Sequence, residues 1–115
     1  MQGRETILVV EDVISLRRLV SRSLRLMGYA VFEAENGRAA MTLWQQRHGE
    51  FDLLFSDMVM PEGLTGLDLA AKLRKDKPDL KVIISSGHGA EIYQMLRLFA
   101  ERKNSKGKRS KRSSY

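Results

Sequence analysis

The chain has 115 residues, enough for one domain and little more, and its 43% hydrophobic and 30% charged residues can support a packed core. It has no cysteine, which excludes a disulfide framework and any thiolate metal site. The formal charge of +6 is unevenly placed: all 14 acidic residues stand at or before Glu101, so residues 1–101 carry −1 (13 basic, 14 acidic) and residues 102–115, with seven of the 20 basic residues, carry +7.

No apolar run approaches the roughly 18 residues that a membrane span needs. The stretch Met1 to Glu5 lacks the apolar core of a signal peptide. The expectation is a cytoplasmic protein with no membrane partner.

In chain order, Thr6 to Val10 is a continuous, β-branched apolar run, as in a strand buried on both faces. Val13, Leu16, Leu19, Val20, Leu24 and Met27 then recur at helical spacing, and Gly28 reads as the stop. Ala30 to Glu33 is a short strand. Asn36 can cap a helix that buries Ala40, Leu43 and Trp44. Phe51 to Ser56 reads as the third strand. A loop with Pro61 and Gly63 follows, and Thr65 with Asp68 forms a capping-box pattern that opens a helix through Leu67, Ala70, Ala71 and Leu73. Lys81 to Ser85 reads as the fourth strand, and Ile92, Met95, Leu96 and Phe99 share one helical face. Four βα units in series predict an α/β fold: a parallel sheet with right-handed crossovers and helices on both faces. The chemistry of such sheets lies beyond the carboxyl ends of the strands.

Those ends carry the polar residues of interest. Glu11 and Asp12 follow the first strand, Asp57 ends the third, and Ser86 and Gly87 follow the fourth. Neighbouring first and third strands would crowd three carboxylates together, raising their pKa values. A hard divalent cation relieves that repulsion, and Mg2+ accepts both carboxylates and phosphate oxygens. A plainer reading is also open for each: Glu11 and Asp12 can serve the first helix electrostatically, and Ser86 can serve a turn. His48 and His88 lack partners at ligand spacing.

With the Glu11-Asp12 pair upstream and Ser86-Gly87 downstream, the run Leu54-Phe55-Ser56-Asp57-Met58-Val59-Met60-Pro61 resembles the receiver domain of two-component response regulators, the CheY-like family. The resemblance covers about residues 5–100, and Met60 to Gly66 looks most like receivers attached to hybrid sensor histidine kinases. It implies a flavodoxin-like, doubly wound sheet, here in strand order 2-1-3-4. It implies that Asp57 accepts a phosphoryl group from a histidine kinase or phosphotransfer domain. Asp12 is then the direct Mg2+ ligand, Glu11 its acidic companion, Asp57 a further ligand and Val59 a ligand through its carbonyl. Ser86 would donate a hydrogen bond to a phosphoryl oxygen, with Met58, Gly87 and His88 at the edge of the site.

The C-terminal part departs from the family. A receiver has a fifth strand ending in Lys-Pro, an aromatic residue on that strand, and a fifth helix. No such pattern follows Ser86, and residues 104–114 contain no apolar side chain. The expectation is therefore a receiver domain over 1–101, a basic, disordered tail over 102–115, and a fifth strand and helix missing or replaced. The exposed sheet edge would favour a homodimer. A specific nucleic-acid partner is not expected, because base readout needs more than charge. Nor is the chain expected to be an enzyme in its own right: it lacks a Gly-rich nucleotide loop, and aspartate-based phosphatases carry a second Asp where Val59 stands. The alternative function is a protein-binding scaffold without efficient phosphorylation.

Overall fold

The computed structural model describes residues 5–60, 64–85 and Arg97. Seven elements alternate along the described chain: β1 (Thr6–Val10), α1 (Ile14–Leu26), β2 (Ala30–Ala34), α2 (Gly37–Gln46), β3 (Leu53–Asp57), α3 (Gly66–Asp76) and β4 (Lys81–Ser85). The strands form one parallel sheet in the order β2-β1-β3-β4, as expected. Apart from Arg97, the expected helix over Ile92 to Phe99, the missing fifth strand and helix, and the basic tail lie outside the described residues.

The apolar runs become strands because the sheet is buried on both sides. Alternation along each strand divides the core in two. Ile7, Val9, Leu53 and Phe55 face α1, where Val20 and Leu24 meet them. Leu8, Val10 and Leu54 face the other way, against Ala40 and Trp44 of α2 and Leu69, Ala70 and Leu73 of α3. The first helix is wetter than its apolar spacing suggests, since Val13 and Leu19 are exposed. In α3 it is Leu69 that is buried, while Leu67 is exposed.

The helix starts follow the expected capping chemistry. Asn36 Oδ1 accepts from Ala39 N–H at 2.8 Å, and Thr65 and Asp68 form a reciprocal capping box. Gly28, at φ 100°, follows the end of α1 in a backbone region that side chains disfavour.

The third strand begins at Leu53, two residues later than its apolar run suggests. Phe51 is held instead in the turn after α2, where its N–H donates to Gly49 O at 2.8 Å. Its ring stacks on Trp44 with centroids 5.6 Å apart. Trp44 Nε1 in turn donates to Asp76 Oδ2 at 2.9 Å, joining α2 to α3. The strand runs through Asp57, one residue further than expected, because Asp57 pairs with Ser85. The second strand likewise extends to Ala34.

Candidate functional site

The parallel registers decide what meets at the carboxyl rim of the sheet. Val10 of β1 lies opposite Ser56 of β3, so Glu11 and Asp57 follow side by side. Among the described residues, Glu11, Asp12 and Asp57 each offer one carboxylate oxygen, and these oxygens all lie within 4.8 Å of one another. The expected convergence of three acids is therefore present.

The three acids differ in environment. Asp12 is exposed, whereas Glu11 and Asp57 are only 2% and 8% exposed. Burial pushes the Glu11 carboxyl up to about 7, and the neighbouring Asp12 and Asp57 push in the same direction. The Val13 N–H, donating to Glu11 Oε2 at 3.0 Å, opposes them. Burial also raises the Asp57 pKa, with Asp12 adding to it, while the N–H groups of Met58 and Val59 pull it down.

Backbone contacts hold the acids in place. Glu11 N–H donates to Ala34 O at 3.0 Å. Arg17 Nη1 donates to Glu11 O at 2.8 Å, and Arg17 Nε lies 3.4 Å from Glu33 Oε1. Glu33 also pairs with Arg25 at 3.0 Å, so α1 and β2 together brace the acidic turn. After Asp57, Met58 N–H donates to Ser85 O at 2.7 Å, and Val59 bridges Thr65 in antiparallel fashion. The Val59 side chain stands in solvent and Met58 is half-buried. Ser86, Gly87 and His88 lie outside the described residues, as do Pro61 to Gly63.

Sequence reading did not anticipate Arg17, whose place in the helical pattern is that of any exposed cation. It also assigned no part in the site to Ser56 or Gly66. The one available signal was a hydroxyl inside an otherwise apolar strand.

Residues 7–102 match the family described as the response regulator receiver domain. The chain belongs to this family. It is 39% identical over 93 residues to sensor kinase CckA of Brucella abortus, covering 81% of this chain but 10% of that kinase. A solved structure of the receiver domain of hybrid histidine kinase CckA superposes with a TM-score of 0.65 at 28% identity, covering 87% of this chain and 96% of that one. The response regulator TrrA of Thermotoga maritima, solved in complex with Mg2+-BeF, gives a TM-score of 0.62 at 34% identity over 80% of each chain. TrrA in complex with histidine kinase ThkA gives 0.63 at 37% identity, covering 74% of this chain and 72% of that one. As a receiver domain, the chain is a response-regulator component of two-component phosphorelay signalling, with a phosphoacceptor role.

The acid set of this receiver fits a small hard cation. Three carboxylate oxygens within 4.8 Å of one another, two of them on buried and mutually repelling side chains, would be stabilised by a divalent charge, and the exposed Asp12 leaves the set open to solvent.

Proposed function

We propose that this receiver accepts a phosphoryl group on Asp57 from the phosphohistidine of a histidine kinase or phosphotransfer domain, with Mg2+ held by Asp12, Asp57, Glu11 and the Val59 carbonyl. The observation that carries this reading is the convergence of Glu11, Asp12 and Asp57 within 4.8 Å at the strand ends. The precedents are TrrA, solved with Mg2+-BeF and with histidine kinase ThkA. In the step itself, an Asp57 carboxylate oxygen forms a bond to phosphorus while the P–N bond to the donor imidazole breaks. The bonding pair leaves with that nitrogen, which takes up a proton. A cation held by these residues would supply charge neutralisation for the transfer. The chain's own contribution is to orient Asp57 and to keep its carboxylate partly desolvated. Ser86 is proposed to donate to a phosphoryl oxygen, with Met58, Gly87 and His88 at the rim. On this reading the chain is a phosphoacceptor that promotes its own modification, not a turnover enzyme.

Intact-mass analysis of the full chain with acetyl phosphate and Mg2+ tests the reading. Addition of one phosphoryl group is expected, abolished by chelator and by Asp57→Asn. A folded sample that gains no mass would favour the scaffold alternative.

A further inference from the structure

Resting on that reading, we propose that Gly66 and Ser56 are positioning residues that lock the two peptide planes after the phosphoacceptor and so fix the approach geometry of Asp57. Neither touches the reacting atoms; both act through the backbone. The first plane joins Asp57 to Met58. Its carbonyl receives the Ser56 hydroxyl at 2.9 Å, and its N–H donates to Ser85 O at 2.7 Å. The same plane occupies the space that a side chain at Gly66 would need. A Cβ at Gly66 would lie 2.4 Å from the Asp57 carbonyl oxygen, closer than side chains tolerate against backbone, and a tight 3.2 Å from its carbon. The second plane joins Met58 to Val59. Its carbonyl accepts Gly66 N–H at 2.8 Å, and its N–H is directed at the Asp57 carboxylate.

Gly66 thus engages both planes, the first because its lack of a side chain leaves that plane room and the second through a hydrogen bond. It is itself fixed, because it opens α3 directly after the Thr65 capping box. Ser56 fills the remaining gap. It is fully buried, and its Oγ would lie only 3.1 Å from the same Cβ. Its second neighbour, the thioether of Met60 at 3.8 Å, is a weak acceptor, so the hydroxyl is committed to the Asp57 carbonyl. A polar group at a sealed apolar position with its hydrogen bond spent on the phosphoacceptor's own peptide is what a positioning role requires.

The test uses the full chain and its Gly66→Ala, Ser56→Ala and Ser56→Thr variants, at a temperature where circular dichroism shows each folded. Two quantities are read: the Mg2+ Kd by titration calorimetry and the rate of phosphorylation by acetyl phosphate at saturating Mg2+. Gly66→Ala is expected to slow phosphorylation about tenfold or more, since small misplacements of reacting groups carry large rate penalties. It should also weaken Mg2+ binding. Ser56→Ala should slow phosphorylation several-fold, on the order of one lost hydrogen bond, and Ser56→Thr, which keeps the hydroxyl, should recover most of the rate. A merely structural role would lower Tm and leave both quantities at wild-type values in the folded variants, and that result overturns the proposal. If Gly66→Ala does not fold, the contrast between Ser56→Ala and Ser56→Thr decides: equal rates overturn it. A wild-type chain that takes up no phosphoryl group fails at the earlier step, overturning the parent reading and this one together.

Discussion

Glu11 is nearly sealed from solvent beside two other acids, and its carboxyl is pushed from 4.5 up to about 7, chiefly by burial. Between those two values the folded chain keeps a proton on Glu11 that the unfolded chain has released. Stability therefore falls as pH rises through this window: the contribution is complete below about 4.5 and gone above about 7. In chelating buffer, thermal melts should show wild-type Tm falling relative to Glu11→Gln across that range, because the amide cannot titrate. Parallel curves for the two proteins would contradict the assignment. Asp57 adds in the same direction, since its pKa is raised for the same reason. The identities of these acids were legible from their places after two apolar runs. The differences between them were not, because burial depends on what packs over a strand end.

At the scale of elements, short-range chemistry was the most legible. Asn36 and Thr65 cap α2 and α3 through side chains three residues from their partners, so the sequence contains both halves of each interaction. Asn36→Ala and Thr65→Ala should each cost about 1 kcal/mol, measured by urea unfolding followed through the fluorescence of the single tryptophan. Trp44→Ala should cost more, about 3–5 kcal/mol. It removes the stack on Phe51 and the hydrogen bond to Asp76, which joins α2 to α3. Circular dichroism is the probe for that variant. The boundary of β3 was less legible. Phe51 is as apolar as Leu53, and only the Gly49 turn and the ring of Trp44 remove it from the strand.

For the whole molecule, coupling between the site and the fold is the measurable property. A ligand that binds only the folded chain adds about 2.7 kcal/mol at 100 times its Kd. Above pH 7, Mg2+ should therefore raise Tm in the wild type and should do little for Asp12→Asn or Asp57→Asn; an equal rise in all three would place the ion elsewhere. Among the described residues β2 and β4 are the outer strands. Self-association along the β4 side is our proposal at this scale, checked by light scattering of the eluting peak. Twice the monomer mass is expected, and a monomer across concentrations argues against it.

By itself, the sequence determined the alternation of strands and helices, the helix caps and the three acids, since each rests on residue types at short spacing. The strand order came from resemblance to a family, and the registers show what periodicity cannot: which strand ends are neighbours. Tertiary structure alone decided that Glu11 is buried and Asp12 wet, that Arg17 braces the acidic turn, and that Gly66 sits against the Asp57 peptide. The reason is common to all three. Desolvation and close approach are set by chain segments distant in sequence, and they exist only once β1, β3 and α3 have packed together.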